Sequence, residues 1–179
     1  MENKPINNVH QEVKVRITEN NVNDKALLIS LLKRLNIDID ELKDVNNTER
    51  RIVVQKVVYF AKKLGMRFTY SYNMYLHGPY STALADDYYN ITKEDMNNCA
   101  NFPLDVDKIK KLECLKEKPR IFLEIAATLD SIIEYNKGIS DEKAIKHVFS
   151  MKEEVLKQYD KNIEYVKDVL DEIRSNNLL

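Results

Sequence analysis

Residues 48–64 read TERRIVVQKVVYFAKKL, and this stretch decides the fold. Its apolar residues recur at spacings of three and four, which predicts a helix with one buried face. Gly65 follows the last of them, at the position where a glycine commonly ends a helix. The β-branched run at residues 52–54 lowers the intrinsic helix propensity, so burial has to hold the segment in place. We therefore predict a helix over residues 48–64 at the centre of the molecule.

The flanking sequence predicts further helices around this one. The chain has 179 residues, of which 32% are charged and 44% apolar, and its 3 glycines and 4 prolines are few for a β-rich fold. Helical spacing with capping residues recurs over residues 24–35, 81–89, 105–115, 119–137 and 140–148, while residues 90–103 are expected to form a loop with a short helical turn at residues 93–98. A long C-terminal helix is predicted over residues 152–175. The expected class is mainly α: a single compact domain of six or seven helices with a small antiparallel β element.

Two stretches with a period of two predict the β element. Val13, Val15 and Ile17 alternate with basic residues within residues 9–17, and residues 68–76 alternate in a similar way. We expect these segments to pair, with residues 1–8 as a flexible N-terminal tail and residues 9–179 as the helical domain. The alternative is an arm that pairs with a second copy of the chain, which leaves a homodimer open.

Charge and hydropathy indicate where such a chain works. The 28 Lys and Arg residues nearly balance 29 Asp and Glu residues, giving a net charge of −1. No apolar run approaches the roughly 18 residues of a membrane span, and the first residues lack the apolar core of a signal peptide. Cys99 and Cys114 show neither CxxC spacing nor a nearby pair of histidines. We expect a cytoplasmic protein with no membrane contact, no metal site and no cofactor.

The string YLHGPYS at residues 75–81 is the candidate functional segment. Histidine titrates near neutrality, glycine adopts backbone conformations closed to other residues, and proline fixes the following φ angle. A rigid turn of this kind before a helix could hold a partner's backbone or an anion. The alternative is structural: a Gly-Pro turn, a Ser81 helix cap and a packed tyrosine. The candidate partner-binding residues are Tyr75, His77, Gly78, Pro79, Tyr80 and Ser81.

Catalysis finds little support in the sequence. A nucleophile needs a base within hydrogen-bond reach and a third group that orients the base. The chain has 3 histidines and none of the GxSxG, HExxH, P-loop or Rossmann fingerprints. An enzyme working through His77 and Ser81 is the weakest of the three hypotheses, so we expect no catalytic residues.

Charge is unevenly distributed along the chain. Residues 48–67 carry six basic residues against Glu49 alone, a net of +5, and residues 84–107 carry six acids against Lys93 alone, a net of −5. The two segments could attract each other within the fold. Otherwise the basic helix could bind phosphate, which makes a nucleic-acid-binding regulator the alternative function. The candidate contacts for that alternative are Arg50, Arg51, Lys56, Lys62, Lys63 and Arg67.

The middle of the chain resembles a known family. QKVVY at residues 55–59, YLHGPYS at 75–81 and ALADDYY at 83–89 are similar to the YwgA-like family, in which a QK-containing helix, a tyrosine-rich strand, HGPYS and an ELADD-type helix follow one another. More distantly the segment resembles the SocA or Panacea antitoxin domain. The resemblance covers residues 50–91. The chain departs from the pattern at Val54, where leucine is frequent, and at residues 82–83, where Pro-Glu is common.

This resemblance implies a binding function. Most YwgA-like proteins have no assigned activity, whereas the Panacea and SocA resemblance implies that a toxin is bound and neutralised, or presented to a protease. The sequence therefore predicts a non-enzymatic protein-binding module of an antitoxin-like or proteolytic-adaptor-like kind. A protein, with a toxin as one candidate, is the expected partner.

Overall fold

A computed structural model describes residues 23–99 and 101–178 of the chain. The predicted tail at residues 1–8 and the predicted strand at residues 9–17 lie outside them. The described residues form nine helices and two short strands, in this order: α1 (Asp24–Arg34), α2 (Ile39–Lys43), α3 (Thr48–Lys63), β1 (Asn73–Tyr75), β2 (Gly78–Tyr80), α4 (Thr82–Asn90), α5 (Lys93–Asn98), α6 (Val106–Lys116), α7 (Arg120–Tyr135), α8 (Asp141–Gln158) and α9 (Ile163–Ser175).

The mainly α fold with a small antiparallel β element is confirmed. The described residues contain nine helices rather than six or seven, because the segment between α1 and α3 forms α2 and the short helical turn expected at residues 93–98 forms α5. Asp38 starts α2 by accepting a hydrogen bond from the amide of Asp40, and Leu42 is fully buried. No helix within the described ranges is both long and apolar enough to cross a membrane.

The prediction of one long helix over residues 152–175 is wrong. Helix α8 runs from Asp141 to Gln158, and α9 begins at Ile163. Asp160 takes a left-handed conformation with φ of 52°, and the Asn162 side chain accepts hydrogen bonds from the first amides of α9. Aspartate and asparagine suit both roles, so local turn chemistry overrides the apolar spacing that continues across the break.

Helices α3 and α7 form the centre of the fold, as predicted for residues 48–64. Residues 52–61 of α3 and residues 121–130 of α7 are all buried. A helix buried on every side needs neighbours all round, and α3 contacts α2, α6, α7 and β2 while α7 contacts α8, α9 and β2. Any polar residue in these two runs therefore needs a partner inside the protein.

The two strands form a hairpin whose position differs from the prediction. β1 pairs with β2 in antiparallel register, with Tyr75 opposite Gly78 and Asn73 opposite Tyr80. The turn is made by Leu76 and His77, neither of which has a positive φ, and Gly78 follows with φ of +81°. This is the arrangement of a glycine bulge after a tight turn. Gly78 and Pro79 thus belong to the second strand and do not form the turn.

Most of the predicted strand over residues 68–76 is irregular, and side chains of other elements bind two of its backbone groups. The Asp24 carboxylate accepts the Thr69 amide at 2.9 Å, and the Lys62 ammonium donates to the Tyr70 carbonyl. Phe68 and Tyr70 are buried and their rings stack with centroids 5.5 Å apart. The aromatic residues therefore pack as expected, while side chains of α1 and α3 bind the Thr69 amide and the Tyr70 carbonyl.

Gly78 lies against α7 with no room for a side chain. A Cβ built on Gly78 would lie 2.6 Å from the Thr128 Oγ1, and this hydroxyl is held by a 2.6 Å hydrogen bond to the Glu124 carbonyl. Gly138 has a similar backbone, with φ of +90°, but a Cβ placed there would meet nothing within 4 Å. An alanine at either position would be strained by the positive φ, but only at Gly78 would its Cβ also clash with a neighbouring atom.

We expect Gly78→Ala to destabilise the protein by about 3 kcal/mol or more, and Gly138→Ala by about 1 kcal/mol, because only the first adds overpacking to left-handed strain. Urea unfolding of both variants measures the difference. Equal losses in the two variants would show that the hairpin does not lie against α7 in this way.

Candidate functional site

Two neighbouring side chains of α3 hold the backbone of the hairpin. The Gln55 amide makes a two-way pair with Ser81, donating to its carbonyl at 2.9 Å and accepting from its amide at 3.0 Å. The Lys56 ammonium donates to the Pro79 carbonyl at 2.6 Å. Both side chains are 1% exposed. Helix α3 therefore fixes the second strand through main-chain groups, and the side chains of that strand are left to point elsewhere.

A second lysine holds the turn from the opposite side. The Lys152 ammonium of α8 donates to the Leu76 carbonyl and lies 3.8 Å from the Glu124 carboxylate of α7. Arg120, one turn before Glu124, donates to the same carboxylate at 2.7 Å. Glu124 is fully buried and Lys152 is 3% exposed. The hairpin thus rests on a buried cluster of charges from α3, α7 and α8, which we call the charge cluster: Lys56, Arg120, Glu124 and Lys152.

His77 connects this cluster to the surface. Its Nδ1 lies 3.2 Å from a Glu124 oxygen and 3.2 Å from an Arg120 nitrogen. One ring nitrogen either donates to the carboxylate or accepts from the guanidinium, so the tautomer of His77 selects its partner. The imidazole is therefore a polar link between the hairpin turn and α7, and it is half-buried.

The charge cluster has an excess of positive charge. Lys56, Lys152 and Arg120 face the single carboxylate of Glu124. Burial lowers the pKa of Lys56 to about 7, with Glu124 opposing the shift and the two other cations adding to it. Burial also lowers the pKa of Lys152, again against the attraction of Glu124. The cost of burying these ammonium groups is only partly offset by one carboxylate and two carbonyl oxygens.

A cavity of about 320 Å³ lies beside Lys56 and opens at the hairpin. Its wall includes four tyrosines: Tyr75, Tyr80, Tyr88 and Tyr89. Lys56, Arg51 and His77 also line it, and among the described residues no Asp or Glu does. The volume falls at the lower end of ligand and side-chain pockets. The site combines aromatic surface with nearby positive charge.

The mouth of the cavity is apolar and exposed. Met74, Tyr75 and Leu76 are exposed large hydrophobic residues in succession along the hairpin, and Tyr89 of α4 is a fourth one on the cavity wall. Leu76 is 76% exposed. We call these four residues the hairpin face. A cluster of this kind differs from the single apolar residues that are normal on protein surfaces.

The structure brings together three of the predicted partner-binding residues and separates the others from the surface. Tyr75, His77 and Tyr80 line the cavity. Gly78 and Pro79 are buried in β2, and Ser81 is 1% exposed. The Ser81 hydroxyl accepts the Leu84 amide at 3.3 Å, which makes it the predicted cap of α4. The accessible candidates are therefore Tyr75, His77 and Tyr80.

His77 and Ser81 have different partners. The imidazole contacts Glu124 and Arg120, while the Ser81 hydroxyl caps α4 inside the protein. A buried serine whose hydroxyl accepts a helix amide is poorly placed for attack on a substrate. The geometry therefore offers no argument for an enzyme that uses this pair.

The basic residues of the nucleic-acid alternative are dispersed, and most of them make contacts within the fold that can be named. Arg50 pairs with Glu41 at 2.6 Å, and Lys63 lies within 3.2 Å of Asp130 and 2.9 Å of Glu134. Arg51 donates to the carbonyls of residues 44 and 45, and Lys62 donates to that of residue 70. Lys56 is buried, and Arg67 is exposed in the segment after α3. The +5 segment therefore does not form one continuous basic face.

Sequence reasoning missed Gln55, Arg120, Glu124 and Lys152 as parts of the site. A signal existed for some of them: Gln55 and Lys56 interrupt a buried apolar run in α3, and Glu124 interrupts another in α7. A polar residue inside such a run requires an internal partner. Tyr59 of α3 follows the same rule, because its buried hydroxyl donates a hydrogen bond to Asp130 of α7. Arg120 and Glu124 are four residues apart, a spacing that a helical pattern can show. The partners of Gln55, Lys56 and Tyr59 are 23 to 71 residues away in sequence, beyond the reach of periodicity.

We expect the wild type to gain stability relative to Lys56→Met as the pH rises above 7. The pKa of Lys56 is lowered from 10.5 to about 7, so between these values the unfolded chain binds more protons and the free energy of unfolding rises with pH. The relative gain should reach about 3 kcal/mol between about pH 7 and pH 9.5. Urea unfolding at both pH values measures it.

Lys137→Met is the matched control for this prediction, because it removes an exposed ammonium. We expect the difference in free energy of unfolding between wild type and Lys137→Met to change little between the two pH values. An equal pH dependence for both variants would contradict the burial of a charged Lys56.

No protein-family model, curated protein or solved structure matches this chain. The resemblance to the YwgA-like family, and more distantly to the SocA or Panacea domain, therefore stays a prediction. It gains a physical interpretation from the site: the QKVVY and HGPYS segments that carry it are joined by the Gln55–Ser81 and Lys56–Pro79 hydrogen bonds.

Proposed function

We propose that this chain is a non-enzymatic protein-binding module whose partner docks on the hairpin face. The observation that carries the proposal is the concentration of exposed apolar side chains around one cavity. Tyr75, Leu76 and Tyr89 lie exposed on its wall, and Met74 is exposed next to Tyr75 in β1. Exposed apolar patches rimmed by polar groups are typical of protein interaction sites, and tyrosines are frequent among the residues that dominate binding energy.

The support beneath the hairpin face favours the same function. Gln55, Lys56 and Lys152 fix the hairpin backbone by hydrogen bonds from two helices. A hairpin held in this way loses little conformational entropy when a partner binds. The buried polar groups therefore favour binding indirectly, because they hold the exposed apolar residues of the hairpin in place before a partner arrives.

A toxin, which the chain would neutralise or present to a protease, is the partner class suggested by the resemblance to antitoxin-like domains. The proposal includes neutralisation or adaptor function in that sense, through burial of the hairpin face against the partner. Nucleic-acid binding has less support, because most of the cations in residues 48–67 contact carboxylates or carbonyls of the fold.

Photocrosslinking tests the docking surface directly. With Tyr75 replaced by p-benzoylphenylalanine, irradiation of cells of the source organism should crosslink the chain to one defined protein. Tyr75 is 53% exposed and lies on the hairpin face, whereas Tyr135 is 90% exposed at the end of α7 and serves as the matched control. We expect the Tyr135 replacement to give at most about a tenth of the crosslinked product, since few interface residues lie outside the patch.

Equal crosslinking from both positions would indicate nonspecific contact and contradict the proposal. A crosslink from Tyr75 to a second copy of this chain would show that the hairpin face mediates self-association, which contradicts docking of a different protein there. Crosslinking to nucleic acid would favour the alternative function.

A further inference from the structure

The cations beside the cavity lack a matching number of carboxylates. Lys56 and Arg51 both line it. Among the described residues, the hydrogen-bond acceptors of Lys56 and Arg51 are neutral: carbonyl oxygens for both, and the Thr48 hydroxyl for Arg51. Behind them, Arg120 and Lys152 share the single carboxylate of Glu124. The cavity therefore lies against an excess of positive charge.

Lys56, which lines the cavity, keeps unused hydrogen-bonding capacity. An ammonium group has three donors, and Pro79 is the one acceptor that the described residues provide to Lys56. An anionic oxygen in the cavity could accept from the same group and relieve the repulsion from Arg120 and Lys152.

The rest of the wall defines the body that carries such an anion. Tyr80 and Tyr88 provide aromatic surface inside, while Tyr75 and Tyr89 are exposed at the mouth. A hydrated inorganic ion would leave this surface unused. A carboxylate attached to an apolar or aromatic group would use both features.

We propose that the cavity binds a carboxylate that lies next to an aromatic or apolar side chain in a peptide segment of the partner. This inference rests on the proposed function, since it takes the protein docked on the hairpin face as the source of the carboxylate. Lys56 is the residue that recognises the carboxylate, and the four tyrosines of the cavity wall pack around the apolar group next to that carboxylate. An acidic, aromatic-containing partner segment follows from this chemistry.

The purified chain tests the inference without any partner. The probes are 3-phenylpropionate, its neutral counterpart 3-phenylpropanamide, and acetate as an anion without an aromatic body. We expect 3-phenylpropionate to bind with a dissociation constant in the millimolar range, as a small ligand of this size should. Both other probes should bind at least about tenfold more weakly. Two-dimensional NMR titration gives the affinities and shows whether the amides of residues 75–81 respond.

Two variants locate the site. Lys56→Met should weaken binding of 3-phenylpropionate about tenfold, whereas Lys137→Met should leave it unchanged. Tyr89→Ala keeps the test valid if Lys56→Met fails to fold, because Tyr89 is 46% exposed and its loss should still weaken binding several-fold.

Equal binding of the carboxylate and the amide, or no binding of either, would overturn the inference, as would undiminished binding by folded Lys56→Met or by Tyr89→Ala. The two proposals fail separately. If Tyr75 crosslinks to a protein but the chain shows no selective carboxylate binding, the docking surface is supported and the carboxylate site is overturned. Selective carboxylate binding without a Tyr75 crosslink overturns the assignment of the carboxylate to a partner protein.

Discussion

The hydrogen bond from the Lys56 ammonium to the Pro79 carbonyl is the interaction on which the site depends. A buried ammonium is costly, and its burial is tolerated only where acceptors are fixed around it. Those acceptors are the hairpin backbone and, at longer range, Glu124 of α7. The same contact therefore couples the central helix α3 to the hairpin and to α7. Exchanging the ammonium for an apolar group would change the electrostatics of all three elements.

This coupling explains why apolar residues are exposed on a small hairpin. A two-stranded hairpin is marginally stable alone and normally needs an apolar face packed on other elements. Here the main-chain groups of the hairpin are bound by Gln55, Lys56 and Lys152, and Gly78 brings the backbone close to α7. Packing of the exposed side chains is not needed to hold the strands. Tyr75 and Leu76 remain free to contact another molecule, which links the buried polar cluster to the proposed binding function.

Local chemistry made part of this structure predictable. The apolar spacing and Gly65 located α3, and Ser81 was identified as the cap of α4 from its position alone. The hairpin was less accessible, because the residues before it gain hydrogen-bond partners from Asp24 and Lys62, which lie in other elements. The charge cluster was out of reach for the same reason: Glu124 and Lys152 contact the hairpin from 47 and 76 residues away. What periodicity reports is which face is buried, and it does not report which polar groups meet there.

The central claim is that the Lys56 amino group is buried beneath the hairpin and held there by the hairpin backbone. The most direct measurement is an NMR titration of the Lys56 side chain, with lysine ¹³Cε resonances followed from about pH 5 to pH 11 and assigned with Lys56→Met. Because burial lowers the pKa of Lys56, we expect a midpoint of about 7. A midpoint near the ordinary value of 10.5 would show a solvated ammonium, and the coupling of α3 to the hairpin would then have to be explained in another way.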